Sequence, residues 1–219
     1  MNFLDALHTL PYWQLLTRLG EAEILLPVAV LTAIALFFQQ GKRRLAVVWM
    51  GLIAMAILVT AASKIAFIGW GLGFASINFT GVSGHAMFAA SIYPMLMVTF
   101  LAGDTRAGLR RALLLGCALA LLVGVSRIAV GAHSWSEVVA GLLVGAAVTA
   151  AVLAVSRAGS LRMPVFVPLA LLAWMSITPA QMQASQSHSL VTRVALNLSG
   201  HVVPYTRNDL LRSARQQVS

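Results

Sequence analysis

The chain has 219 residues, of which 59% are hydrophobic and only 10% are charged, and its mean hydropathy is +0.87. Soluble domains carry about 25% charged residues, so this composition excludes a soluble protein and predicts one embedded in a membrane. The net charge of +9 is divided among short, separate clusters, whereas a nucleic-acid-binding surface needs a contiguous basic patch. We therefore expect no nucleic-acid partner.

Residues 1–22 predict an interfacial helix instead of a cleavable signal peptide. They lack an early basic region and contain Asp5 and His8 within a mixed pattern. Leucines and Trp13 recur on one helical face, with an interruption or kink expected at Pro11. A helix that is apolar on one side can lie in the membrane surface, which is the position predicted for this segment.

Six apolar runs follow, and each can span a bilayer with some help from its flanking residues. The hydrocarbon core is about 30 Å thick and needs about 17–25 helical residues. We therefore predict an all-α polytopic bundle of about six transmembrane helices, forming one domain over residues 23–180. The runs are Ile24–Phe38, Leu45–Ser63, Ala86–Ala102, Ala112–Val125, Val138–Val155 and Met163–Ile177.

Basic residues cluster in alternate loops and predict the orientation of the bundle. Clusters follow the first run at residues 42–44, the third at residues 106–111 and the fifth at residues 157–162. The positive-inside rule makes these loops cytoplasmic. The second and fourth loops, together with both termini, would then lie on the extracytoplasmic side.

The C-terminal tail, residues 181–219, is polar and basic but contains apolar clusters such as Leu190–Leu198. Two placements are consistent with this pattern. The tail would either lie on the membrane surface or close over the extracytoplasmic end of the bundle, and the sequence favours neither.

Polar residues stand beside the second and third runs, where charge is costly and usually marks a functional site. Lys64 ends the second run, and it could bind an anion or extend to the lipid headgroups. Ser83-Gly84-His85 directly precedes the third run, where a helix N-terminus and a glycine backbone suit a phosphate. His85 could protonate a leaving oxygen. The alternative for this tripeptide is an ordinary helix cap.

A second polar group lies late in the fourth run and in the loop after it. Arg127 follows Ser126, and His133 and Glu137 are four residues apart. If both lie on one helical face, the carboxylate can hold one imidazole nitrogen and leave the other free to attack. Glu137 could instead form a capping box with Ser134, although capping does not explain His133.

These residues resemble the type-2 phosphatidic acid phosphatase family, the membrane lipid phosphate phosphatases. Its three motifs are Lys-x6-Arg-Pro, Pro-Ser-Gly-His and Ser-Arg-x5-His-x3-Asp. The third is present from Ser126 to Glu137 with its spacing kept, but it ends in Glu instead of Asp. The second reads Val82-Ser83-Gly84-His85, and the first keeps Lys64 but lacks Arg-Pro. The resemblance covers roughly Lys64–Val155.

The resemblance implies a role for each matched residue. His133 would be the nucleophile that forms a phosphohistidine, Glu137 would hold its imidazole, and His85 would be the general acid. The groups that would bind the phosphoryl oxygens are Lys64, Ser83, Gly84 and Arg127. Cations and a helix terminus can stabilise phosphoryl transfer, and the chain has only six acidic residues, so we predict no metal and no cofactor.

The function implied by the resemblance is hydrolysis of a lipid phosphate monoester or diphosphate at the extracytoplasmic face of a bacterial inner membrane. The lipid chain would remain among the helices and the surrounding membrane lipids. Implied substrates are undecaprenyl diphosphate, phosphatidylglycerophosphate, phosphatidic acid and the lipid A phosphates, and the sequence ranks none of them first.

Three other functions remain open at this stage. A lipid phosphotransferase would pass the phosphoryl group from His133 to another lipid. A rhomboid-like intramembrane serine protease would use Ser83 as nucleophile and His133 as base, but it leaves Arg127 without a role. A non-enzymatic transporter or scaffold for anionic lipids would use Lys64 and Arg127, yet it needs no pair of histidines.

Overall fold

The computed structural model describes residues 11–103, 105–155 and 184–216, and the regular elements in these ranges are helical. The predicted all-α fold is therefore confirmed. A short 3₁₀ helix, Ala75–Ile77, lies in the loop before the fourth α-helix. The α-helices in the described ranges are α1 (Pro11–Arg18), α2 (Ala22–Phe37), α3 (Arg43–Trp70), α4 (Gly84–Leu101), α5 (Arg106–Ala129), α6 (Trp135–Val155), α7 (Ala184–Ser199) and α8 (Arg207–Gln216).

Among the described helices, α3 to α6 are long and apolar enough to cross a membrane. Helices α1 and α2 make a further candidate span when they are taken together across their 40° bend. Helices satisfy their own backbone hydrogen bonds, which is why so apolar a chain folds this way in lipid. The predicted sixth run, Met163–Ile177, lies outside the described residues, as do residues 1–10 of the predicted interfacial segment.

The α3 helix extends beyond its apolar run, because its backbone hydrogen bonds continue past the last residue of that run. We expected the run to end at Ser63, before Lys64, but the helix continues for nearly two more turns to Trp70. Gly71 then ends it in the left-handed conformation, with φ of +69°. Lys64 therefore lies within α3 and not at its end.

The α4 helix is the most buried of the candidate spans and packs against α5 and α6. Pro94 within it has no N–H, which leaves the carbonyl of Ala90 without its helical donor. The Thr149 hydroxyl of α6 donates to this carbonyl at 2.7 Å, and Trp49 Nε1 of α3 donates to Ser91 O at 3.1 Å. The Thr149 hydroxyl thus satisfies a carbonyl that lipid would leave unpaired.

Two glycines one turn apart bring α6 into backbone contact with the start of α4. A Cβ on Gly141 would lie 2.4 Å from Ser83 O, and a Cβ on Gly145 would lie 2.4 Å from Met87 O. A larger residue therefore cannot occupy either position without moving a helix. The contact places the first turn of α4 beside Glu137 in the first turn of α6.

Candidate active site

A cavity of about 1050 Å³ lies at the end of the bundle where α3 ends and α4 begins. Five of the seven predicted site residues line it, namely Lys64, Gly84, His85, Arg127 and His133. The other two, Ser83 and Glu137, are fully buried beside these residues. The fold therefore brings the two polar groups and Lys64 together.

The start of α4 is held by its backbone instead of by a side-chain cap. Ser83 N donates to Glu137 O at 3.0 Å, and Met87 N donates to Ser83 O at 3.0 Å. Ser83 occupies the N-cap position, but its hydroxyl makes no capping bond. This buried hydroxyl has no hydrogen-bond partner among the described residues, which makes it a donor available to a ligand.

Lys64 lies against the loop that leads into α4. A Cβ on Gly81 would lie 3.0 Å from Lys64 Cγ, and the φ of +143° at Gly81 is one that other residues rarely adopt. Val82 N donates to Ser63 Oγ at 3.0 Å, which ties the same loop to α3. The Lys64 ammonium is 4.0 Å from the Cβ position of Gly84, beside the positive end of α4.

The end of α5 sets the position of His133 relative to Arg127. Ala132 N and His133 N both donate to Arg127 O, at 3.0 and 3.2 Å. Gly131 has a φ of +69°, which allows the chain to close this C-terminal turn. Arg127 and His133 are therefore held together by backbone hydrogen bonds as well as by sequence spacing.

The junction of α1 and α2 forms a wall of the site that sequence analysis did not identify. Arg127 Nη1 donates to Thr17 Oγ1 at 2.6 Å. A Cβ on Gly20 would lie 3.2 Å from His85 Cδ2, so the junction packs against the His85 ring. Thr17 and Gly20 are far from the motifs in sequence and form no motif of their own, so only the fold shows that they lie at the site.

Glu137 holds His133 and caps its own helix at the same time. His133 Nδ1 donates to Glu137 Oε2 at 2.7 Å, and Ser134 N donates to the same oxygen at 3.1 Å. The sequence left open whether Glu137 bonds to the imidazole of His133 or caps α6, and in the structure it does both. The bond at Nδ1 leaves Nε2 of His133 as the nitrogen available for chemistry.

Burial lowers the pKa of His133, while its hydrogen bond to Glu137 opposes this shift. The positive charges of Lys64 and Arg127 lower the pKa further. The imidazole is therefore neutral near pH 7, which is the state in which it can act as a nucleophile.

Two further partners of Glu137 were missed by sequence analysis. Thr80 donates to Glu137 Oε1 through its backbone N, at 2.8 Å, and through its hydroxyl. Arg207, from α8 in the C-terminal tail, pairs with the same carboxylate at 2.8 Å. Neither residue belongs to a motif, and Arg207 is 70 residues away in the chain.

In the part of the chain that the structure describes, no group of three or more His, Cys, Asp or Glu side chains is placed to hold a metal ion. The cavity is lined by more cations than carboxylates, with Glu21 and Glu23 on one wall, and its cations and imidazoles suit an anionic substrate. That the reaction needs no metal stays a prediction.

Comparison with known proteins points to the same family as the motifs. The family model of the PAP2 superfamily matches residues 69–160, which include the second and third motifs. A Klebsiella pneumoniae protein described as an uncharacterized 22.5 kDa protein in the cps region is 36% identical over 214 residues, covering 92% of this chain and 99% of the relative. The chain belongs to the PAP2 superfamily. No solved structure matches it.

Members of the PAP2 superfamily are generally phosphatases that act on phosphate esters, so membership indicates a phosphatase. The predicted family is confirmed. This PAP2 protein departs from the first motif at residues 71 and 72, where Gly71 and Leu72 replace Arg-Pro. Gly71 ends α3, and Tyr205 of the tail lies over it.

Proposed function

We propose that this PAP2 protein hydrolyses a lipid phosphate monoester or diphosphate through a phosphohistidine on His133. The observation that carries the proposal is the 2.7 Å bond from His133 Nδ1 to the buried carboxylate of Glu137. It fixes the ring in the tautomer whose Nε2 is a nucleophile, and His133 lines the cavity.

The reaction has two steps. His133 Nε2 attacks phosphorus, forming a P–N bond as the bond from phosphorus to the leaving oxygen breaks, and His85 gives that oxygen a proton. Water then attacks the phosphohistidine, His85 takes the proton from this water, and cleavage of the P–N bond releases phosphate and restores His133. Histidine chemistry of this kind needs both rings at one cavity, and both line it.

The negative charge that develops on the phosphoryl oxygens is balanced by groups already in place. Lys64 and Arg127 supply two positive charges, and the first turn of α4 supplies unpaired N–H groups. The Ser83 hydroxyl supplies a further donor. These groups cost little reorganisation because the surrounding helices hold them before substrate binds.

The cavity also fits a substrate with an apolar chain. Leu26, Ile57 and Phe88 line it together with the polar groups, so a lipid tail can lie among the helices while its phosphate meets the histidines. The basic residues at the start of α3 and α5 are at the opposite ends of these helices. By the positive-inside rule, the active site would face the extracytoplasmic side.

Phosphate release from a panel of lipid phosphates, measured on the purified protein with a chelator present, tests this proposal. We expect release with chelator, and a loss of at least about a thousandfold in His133→Asn. Radiolabelled phosphate should become attached to the wild type and not to this variant. Full activity of His133→Asn, or activity that stops on adding chelator, would contradict the mechanism.

The alternatives predict different results in the same assay. A phosphotransferase would give a new phosphorylated lipid in place of free phosphate. A rhomboid-like protease would release no phosphate, and its proteolysis would be lost in Ser83→Ala, whereas phosphate release by the phosphatase should only slow down in that variant. The Ser83 hydroxyl makes no bond to a histidine among the described residues, which disfavours the protease. A scaffold would bind lipid phosphates unchanged in His133→Asn.

A further inference from the structure

The C-terminal segment of this PAP2 protein docks along the end of α3, next to the active site. Ala195 of α7 is fully buried against α3. Beyond α7, His201 Nδ1 donates to Gly69 O at 2.8 Å, and Tyr205 N donates to Ile68 O at 3.0 Å. The chain thus runs along the last turn of α3 and reaches the cavity, where residues 204–207 form part of the lining.

Tyr205 covers the position at which the family's first motif has arginine. The residue there is Gly71, and a Cβ on it would lie only 3.0 Å from Tyr205 Cδ1. Its φ of +69° is also unfavourable for any residue with a side chain. A docked tail and an arginine at residue 71 are therefore poorly compatible.

A capping box aims the first residue of α8 at the site. Thr206 donates to Asp209 Oδ2 through its N and its hydroxyl, at 2.9 and 2.6 Å. Asp209 N donates back to Thr206 Oγ1 at 3.4 Å. Reciprocal bonds of this kind fix the first turn of a helix and therefore the direction of Arg207.

The Arg207 guanidinium contacts the residues that surround Glu137. Its Nη2 donates to both carboxylate oxygens of Glu137, at 2.8 and 2.9 Å, and to Thr80 Oγ1 at 3.3 Å. Its Nη1 donates to Asn78 Oδ1 at 2.8 Å and to Asn78 O at 3.2 Å. The carboxylate is fully buried, whereas the Arg207 side chain is one-third exposed, so the pair joins the interior of the site to its surface.

We propose that Arg207 is a positioning residue of the active site, through which the C-terminal segment holds Glu137 and thereby His133. The inference rests on the proposed function, because it gives Arg207 a part in the same reaction. Arg207 orients the carboxylate and balances its buried negative charge, so that the carboxylate holds Nδ1 of His133. The tail thus supplies a guanidinium to a site that has none at residue 71.

Kinetics of the full-length Arg207→Gln variant test this role, with Arg215→Gln as the control. Arg215 is exposed on the same helix, and its substitution by glutamine removes the same charge. We expect kcat to fall about 10- to 100-fold in Arg207→Gln, with KM changed less than about threefold. Arg207→Lys should recover part of the loss, since an ammonium cannot serve all of these acceptors. Thermal unfolding in detergent shows whether each variant is folded.

The pH profile separates positioning from a merely structural role. The other charged or titratable described residues that interact with His133 or line the same cavity are Lys64, His85, Arg127, Glu137, Glu21, Glu23, Arg193 and Tyr205. Removing the Arg207 cation lets the negative charge of Glu137 favour protonated His133 more strongly, so the acid limb of kcat/KM should move to higher pH. The limb should stay in place in Arg215→Gln. A uniform loss at every pH, or a change in KM alone, would overturn the proposal.

A double variant tests whether the effect passes through the carboxylate. Adding Arg207→Gln to Glu137→Gln should change kcat by less than about twofold, whereas additive losses would overturn the proposal. Failure of the proposed function gives a different result, because the wild type itself would then release no phosphate. An active wild type matched by Arg207→Gln would remove this inference alone.

Discussion

The carboxylate of Glu137 draws its donors from both near and distant parts of the chain. His133 and Ser134 are its sequence neighbours, whereas Thr80 and Arg207 reach it through the fold. A buried carboxylate is costly unless its oxygens are hydrogen-bonded. Because both oxygens are paired, Glu137 has a fixed position, and so has the imidazole bonded to it.

At this residue scale, the charge of His133 predicts the pH dependence of the reaction. Burial lowers the pKa of His133 below its ordinary 6.5, so the neutral nucleophile persists into mildly acidic solution. As pH falls through the lowered pKa, the ring gains a proton and activity is lost. We expect the acid limb of kcat/KM below pH 6.5, measured from about pH 4.5 to 8. A limb centred above pH 7 would contradict this.

The proposed role of His85 predicts a dependence on the leaving group. If His85 protonates the leaving oxygen, His85→Asn should slow hydrolysis of a lipid phosphomonoester by about 10²- to 10⁴-fold. An aryl phosphate with an acidic phenol needs no such proton, so its first step should be affected far less. Burst kinetics with both substrates measure this difference. Equal losses for both would show that His85 does not act as the acid.

At the scale of elements, the approach of α6 to α4 determines whether the site forms. Gly141 places the backbone of α6 against Ser83, and the same contact lets Ser83 N bond to Glu137 O. One helix therefore carries both the carboxylate and the glycine that brings the first turn of α4, the proposed phosphate-binding turn, close to it.

Gly141→Ala should destabilise the protein by about 1–3 kcal/mol, because the added methyl meets the Ser83 carbonyl and must push α4 away. The variant should also lose phosphatase activity while it is still folded. Gly51→Ala is the matched control. Apart from the backbone of α3 itself, no atom of the described residues lies within 4 Å of the Cβ position of Gly51, so this change should stabilise the protein by up to about 1 kcal/mol. Thermal unfolding measures the stability of each variant, and phosphate release measures its activity. Similar results for the two variants would contradict the packing argument.

At the scale of the whole molecule, the distribution of charge distinguishes the two ends of the helix bundle, one with the basic loops and one with the candidate site. Arg43 and Lys64 lie on the same helix, separated by about 30 Å at 1.5 Å per residue. This matches the thickness of the hydrocarbon core, about 30 Å. By this proposal, the basic loops and the candidate active site lie in different compartments.

Cysteine labelling in intact cells tests this orientation. Cys117 is first replaced by alanine, and single cysteines are then introduced at two exposed positions, Ser76 at the site end and Ala107 at the basic end. An impermeant maleimide should label residue 76 in intact cells and residue 107 only after permeabilisation. The opposite pattern would place the active site in the cytoplasm.

The sequence by itself determined the helical membrane fold and the family. Apolar runs can be recognised without knowing their neighbours, because the cost of placing polar groups in lipid applies to each helix separately. The third motif could be found in the same way, since the spacing of Arg127, His133 and Glu137 is kept within one short stretch.

Only the tertiary structure decided which distant groups complete the site. Thr17 contacts Arg127, and Arg207 contacts Glu137, each across more than 65 residues of sequence. Neither Thr17 nor Arg207 belongs to a sequence motif. The structure also placed the tail beside the cavity, which its composition left open. Such contacts depend on how helices pack, and packing is set by shape at positions such as Gly141 and Gly71, where the absence of a side chain is what matters.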